Sequence, residues 1–310
     1  MRNASSRSWN DLQTKMKRRT LLLCAAALLA IVSGSSCKSA FELLLDSNDT
    51  DAKYDAAFDY FNQGKYNKAS QLFESISVVT NGTDREDTVQ YYWGLSNYRF
   101  KDYYTAETNF QSFITKFPRS PFTEQASFLR VDCLYKQTLR YELDQKPTTA
   151  ALAAVGEFLT NYPSTPQLDY CTHMIDDLSE RLDRKAYENA KLYYRMEDYL
   201  AANTALKNVL KDNSDNRYRE DILYYTAMSA YKYAHLSVPE KQKERYLSFV
   251  DEYYNFIGEY PESSYRRELD VMFRRSQRAL GRNVSDDDEE LDKNDKDFEK
   301  ERRKQKDARG

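Results

Sequence analysis

Side chains that usually carry chemistry are scarce in this chain of 310 residues, which has two His and four Cys. His173 and His235 fall on separate predicted helices, without Cys or carboxylate neighbours at the spacing of a zinc site, and read as surface or partly buried histidines. There is no glycine-rich phosphate loop, no G-x-S-x-G and no Ser/His/Asp set. Asp176, Asp177 and Asp221 read as acids on solvated helix faces. Cys133 and Cys171 read as separate buried thiols, although sequence leaves their pairing open. The expectation is a protein that is not an enzyme and carries no metal or non-covalent cofactor.

Cys37 has a context for a different chemistry. Lys15, Lys17, Arg18 and Arg19 precede the apolar run Leu21–Val32, which is too short to span a hydrocarbon core of about 30 Å and fits the h-region of a signal peptide. The small residues Ser33–Ser36 then lead to Cys37, a pattern that resembles the bacterial lipobox, with Gly34 in place of the usual Leu. The resemblance implies removal of residues 1–36 and a covalent diacylglycerol and N-acyl lipid on Cys37. Plain cleavage that leaves a free Cys37 is the other reading, and Cys24, inside the apolar run, is a poorer lipid site. The basic cluster surrounds Met16, so residues 1–15 are a candidate upstream mis-start. Cleavage removes Arg2, Arg7, Lys15, Lys17, Arg18 and Arg19 but only one acid, Asp11, leaving a mature chain more acidic than the whole, at −3. Such a protein would hold a membrane by its acyl chains rather than by a basic patch, and it has no charge excess for nucleic acid.

The elements that position these residues are legible from composition and self-similarity. The chain is 41% hydrophobic and 31% charged, with a mean hydropathy of −0.83, yet it carries 26 Tyr and 15 Phe, too many for a disordered chain. Only 8 Gly and 7 Pro remain for turns, which favours long helices over sheets. Gly64–Phe73 has the pattern G-x-Y-x-x-A-x-x-x-F; Lys101–Phe110 repeats it without the Gly, and Glu197–Leu206 repeats it a third time. A second string ends in proline at Phe113–Pro118, Phe158–Pro163 and Phe256–Pro261. The pattern resembles the tetratricopeptide repeat, with Ala57, Gly94 and Ala190 at the small position of the first helix of a pair. The expectation is an all-α tetratricopeptide-repeat solenoid over 50–281. It has five helix pairs near 50–80, 86–118, 121–163, 168–213 and 218–261 and a closing helix near 262–280. Longer inner connections are expected at Leu143–Thr148 and Ser237–Lys241. Residues 37–49 read as an acylated linker, and residues 282–310, acidic at Asp286–Glu290 and then mostly basic, as a disordered charged tail.

First-helix positions at i, i+4 and i+7 face the inside of such a stack. They are Tyr54, Phe58 and Phe61, then Tyr91, Leu95 and Tyr98, then Phe128, Asp132 and Tyr135, with Arg99 and Arg130 nearby. Tyr and Phe at these positions suit a groove for an apolar or aromatic peptide. Packing between repeats is the competing role. In pairs four and five, Tyr193, Arg217, Tyr218, Arg219, Tyr265, Arg266 and Arg267 form a candidate docking face.

From residue 37 to about 281 the chain resembles the BamD family of lipoproteins of the outer-membrane β-barrel assembly machine. The export signal, the relaxed lipobox and the five repeats carry the resemblance, with Pro121-x4-Ala126-x3-Arg130 and Tyr193-Tyr194. It implies an outer-membrane, lipid-anchored, periplasm-facing scaffold that binds the periplasmic domains of BamA and unfolded β-barrel proteins, with other assembly-machine lipoproteins as further partners. A cell-surface glycan- or nutrient-binding helical lipoprotein, or another envelope scaffold, are the alternatives.

Overall fold

The computed structural model describes residues 39–282. Among them are twelve helices and no strand: α1 (Ala40–Asp46), α2 (Thr50–Asn62), α3 (Tyr66–Ser77), α4 (Glu86–Arg99), α5 (Tyr103–Lys116), α6 (Thr123–Lys136), α7 (Lys146–Asn161), α8 (Leu168–Arg195), α9 (Tyr199–Asp212), α10 (Arg219–His235), α11 (Pro239–Glu259) and α12 (Arg266–Ala279). The chain divides into two compact units, one through Thr123 and the other from Glu124. The expected signal segment, Cys37 and the expected charged tail from 283 onward lie outside the described residues.

In the first unit α2 packs on α3, α3 on α4 and α4 on α5. The repeat motif explains the spacing. Ala57 and Ala69 are fully buried where helices approach, and Phe73 and Phe110 fill the adjoining turns. At Gly94 an added Cβ would stand 3.0 Å from the Phe110 ring, so a side chain there would require that ring to shift. In the second unit α8 packs on α7 and α9, α10 on α9 and α11, and α12 closes on α10 and α11. Its cores gather Tyr187, Ala190, Leu206 and Ile222 in one cluster and Tyr231, Phe249, Phe256 and Leu269 in another.

The turn Gln63–Lys65 inside the first pair has left-handed backbone at Gly64 (φ 73°), and the same repeat position is left-handed at Lys101 (φ 68°) and Glu197 (φ 62°). The two non-glycine copies are followed by aspartates that cap the next helix: Asp102 accepts from the Thr105 amide at 3.1 Å and Asp198 from the Ala201 amide at 3.1 Å. The glycine copy lacks such a cap, since Lys65 makes no side-chain cap bond.

Three expectations about boundaries are corrected. The span 37–49 is not all linker: a capping box joins Ser39 and Glu42, and α1 lies against α2 and α3. The long connection of the third pair is residues 137–145, earlier than Leu143–Thr148, because α7 starts at Lys146 with Pro147 in its first turn. In the fifth pair Pro239 opens α11, so the connection is the short turn 236–238. In addition, α8 runs 28 residues, twice the length of α9, and its buried residues Cys171, Met174, Leu178, Tyr187 and Ala190 keep a helical spacing throughout.

Candidate protein-interaction surface

In the first unit the expected groove residues fall into two groups. Tyr54, Phe58 and Phe61 are half-buried; Phe58 meets Phe73 edge-on at 5.1 Å and Tyr92 at 4.8 Å, and Phe61 meets Tyr66 at 5.4 Å and Tyr92 at 5.3 Å. The Arg85 guanidinium lies over the Tyr54 ring at 4.7 Å and also holds Asp51 at 2.6 Å. Tyr98 is half-buried against Tyr103, and Arg99 is exposed. Tyr91 departs from expectation. Only 7% exposed, it stacks on Phe122 at 4.5 Å, and desolvation pushes its phenol up to about 12. It is core. Tyr92, one step around the helix and absent from the expected set, is the residue on which Phe58, Phe61 and Phe73 converge. A 100° helical step separates the two, less than the width of the buried stripe, so periodicity alone did not tell them apart.

In the second unit Phe128 is 9% exposed and packs on Phe158 and Tyr170, which also makes it interior. Arg130 is half-buried. Tyr135 donates to Asp177 at 2.8 Å, beneath the Arg181 guanidinium, while Tyr170 donates back to the buried Asp132 at 2.9 Å. Asp177 and Asp221 are therefore not plain solvated acids: Asp177 also takes Arg181, and Asp221 accepts the Tyr265 hydroxyl. Asp176, exposed, does pair with Arg217 at 3.0 Å. Of the expected docking face, Tyr218 lies flat on Tyr187 at 5.0 Å and donates to Glu180 at 2.6 Å. Burial first, and that bond second, push the Tyr218 phenol up to about 12. Tyr265 stacks on Tyr224, and Arg219 forms a fork with Glu259, holding that carboxyl below the usual range. Tyr218 and Tyr265 thus join neighbouring repeats, whereas Tyr193 stays exposed.

In the second unit exposed apolar side chains gather at two turns, and Leu247 and Tyr254 are exposed along α11. Leu192, Tyr193, Met196 and Leu200 surround the α8–α9 turn at 47%, 44%, 66% and 53% exposure, and Leu236 and Val238 mark the α10–α11 turn. The connection 137–145 presents Leu139 and Leu143, its backbone clamped by α8: Arg181 reaches Thr138, Arg184 lies over Tyr141 at 4.2 Å, and Lys185 donates to the Glu142 and Leu143 carbonyls. Cys133 and Cys171 are both buried and unbonded to each other. Among the described residues no group of three or more His, Cys, Asp or Glu is placed to hold a metal, and no helix is long and apolar enough to cross a membrane.

Stacked helix pairs joined by aromatic and carboxylate contacts, with apolar side chains left bare at the turns, define a helical-repeat scaffold of the tetratricopeptide kind. Residues 46–247, more than half of the chain, match the model of the YfiO family of outer membrane lipoproteins, and the protein belongs to that family. It is 23% identical over 243 residues to the outer membrane protein assembly factor BamD of Caulobacter vibrioides, which covers 78% of each chain.

Proposed function

We propose that the protein is a non-enzymatic scaffold of outer-membrane β-barrel assembly, tethered by an acylated Cys37 on the periplasmic side of the outer membrane. In this reading it binds the periplasmic domains of BamA and receives unfolded barrel proteins. The observation that carries the reading is the match of residues 46–247 to the outer membrane lipoprotein family, joined by the resemblance to a relative named as an assembly factor. The bare apolar turns of the second unit support a protein partner, since Leu192, Met196 and Leu200 are left exposed by the described residues. For an extended substrate, the half-buried Tyr54, Phe58, Phe61 and Tyr98 and the exposed Arg99 of the first unit are the candidate contacts, with Tyr91 as their support.

The test is detergent extraction and affinity capture of the full-length protein from its own envelope. Recovery of BamA with wild type, and its reduction by Leu192→Asp with Met196→Asp, is the expected result. Capture without BamA overturns the reading. Metabolic labelling with a radioactive fatty acid tests the anchor separately: label on wild type and none on Cys37→Ala.

A further inference from the structure

The first described residue, Ser39, is already fixed. Its hydroxyl accepts from the Glu42 amide at 3.3 Å, and its own amide donates to the Glu42 carboxylate at 2.6 Å, which closes the first turn of α1. From there no slack remains before the first repeat. Phe41 meets Tyr60 of α2 edge-on at 5.5 Å, and the Lys68 ammonium of α3 lies 4.9 Å from the Phe41 ring and 5.3 Å from that of Tyr60. Leu44 and Leu45 pack on the core of the first pair. Ser47 bonds back to the Leu44 carbonyl at 2.7 Å, and Asp49 caps α2 through the Ala52 amide at 2.9 Å. Leu43, by contrast, is 59% exposed on α1, with none of the described residues covering it.

Cys37 precedes Ser39 by two residues, which extend at most about 7 Å. We infer that α1 is a strap that holds the first helix pair directly against the lipid surface, with Leu43 at headgroup level. This rests on acylation of Cys37. The occupant of the bare α1 face is the bilayer that carries the anchor, because a lipid attached so close to Ser39 leaves no room for another layer of protein between α1 and the headgroups. Lys65 and Lys68 are both exposed and stand over the Tyr60 ring, Lys68 also over that of Phe41, where their ammonium groups can meet lipid phosphates while the two rings shield the stems. A family of scaffolds on long flexible tethers would sample many orientations. This one is held in few.

The experiment uses full-length acylated protein in vesicles of phosphatidylethanolamine and phosphatidylglycerol, with an environment-sensitive fluorophore on Leu43→Cys and a quencher on a fraction of the headgroups. Cys133 and Cys171 are buried, so the label is selective. A second protein carries a Gly/Ser insert of about 20 residues between Lys38 and Ser39, whose root-mean-square reach of roughly 25 Å releases the strap. The expected result is strong quenching in the short-tethered protein and a several-fold loss of quenching with the insert. Equal, weak quenching in both proteins, with fatty acid present on Cys37, overturns the inference and leaves the anchor intact. Absence of fatty acid on Cys37 overturns the anchor and the strap together. Far-ultraviolet circular dichroism on both proteins confirms that the fold is retained.

Discussion

Tyr224 and Tyr265 lie face to face, ring centroids 4.0 Å apart and planes 15° from parallel, and each hydroxyl crosses to the other's helix: Tyr224 donates to Glu268 at 2.9 Å and Tyr265 to Asp221 at 2.6 Å. Tyr135 and Tyr170 repeat the exchange with Asp177 and Asp132. Neutral phenols bonded to charged carboxylates join successive first helices without burying a full ion pair, and the bond to a charged acceptor is the stronger kind. Tyr265→Phe removes one donor and leaves Asp221 short of a partner, which costs about 1–2 kcal/mol. Adding Asp221→Ala should recover part of that loss. Urea unfolding of the two single variants and the double variant measures the coupling, and strict additivity would rule out the exchange as a stabilising unit.

The same phenols make the fold sensitive to alkali. Burial raises Tyr194 to about 12, as it does Tyr91 and Tyr218, and Tyr170, Tyr187, Tyr224, Tyr253 and Tyr265 are pushed higher still. In the unfolded chain these groups lose their protons near pH 10. The folded state therefore holds more protons above that value, and the stability that the raised groups confer is fully present below about pH 10 and falls as pH climbs through and beyond 12. Phenolate absorbance followed against pH, with circular dichroism in parallel, should show an early fraction of tyrosines that titrates freely and a late fraction that titrates only as helicity is lost. A single smooth titration near pH 10 with helicity intact contradicts this.

Left-handed turns give a test of how repeats diverge. Gly64 occupies the position without a Cβ penalty, whereas Lys101 and Glu197 bear it, each beside a capping aspartate. Lys101→Gly and Glu197→Gly should each stabilise by up to about 1 kcal/mol, while Gly64→Ala should cost about 1–2 kcal/mol. Thermal or urea midpoints decide it, and a destabilised Lys101→Gly would show that unfolded-chain entropy outweighs the relieved strain.

Much of this architecture is written in the repeat motif. Alanine and glycine at Ala57, Gly94 and Ala190, the wedge tyrosines Tyr66, Tyr103 and Tyr199, and the helix-ending prolines place the pairs to within a few residues, because each meets a local steric demand. The wedge contact even recurs in three dimensions: Phe61–Tyr66, Tyr98–Tyr103 and Tyr194–Tyr199 are all edge-on, at 5.4, 5.8 and 5.5 Å. What the sequence hid are relations between repeats. Tyr91 and Phe128 carry the periodicity of an open face, but Phe122 covers one and Phe158 and Tyr170 the other, and nothing local to either helix announces the cover. Asp177 and Asp221 look solvated for the same reason: the hydroxyls that bond them come from tyrosines 42 and 44 residues away. Helix α1 was hidden by its length, too short to show a period, although Ser39 and Glu42 spell its capping box.

Asp183 shows most sharply what α8 does for its neighbours. It is 8% exposed within that helix, yet its side chain accepts from Asn213 Nδ2 at 2.8 Å, Asn216 Nδ2 at 3.3 Å and the Arg217 amide at 3.2 Å, so one carboxylate gathers the connection between α9 and α10. That connection delivers Tyr218 to its stack on Tyr187 and Arg217 to Asp176. Asp183→Ala removes the acceptor from three donors at once and should cost about 2–3 kcal/mol. Asp183→Asn, which keeps one acceptor oxygen but loses the charge, should cost less. Because the bonds are local, the first sign of the loss is faster amide exchange at Arg217 and its neighbours, ahead of global unfolding. Unchanged exchange there, with a lowered urea midpoint, would mean that Asp183 acts only through the packing of α8 and not by holding the turn.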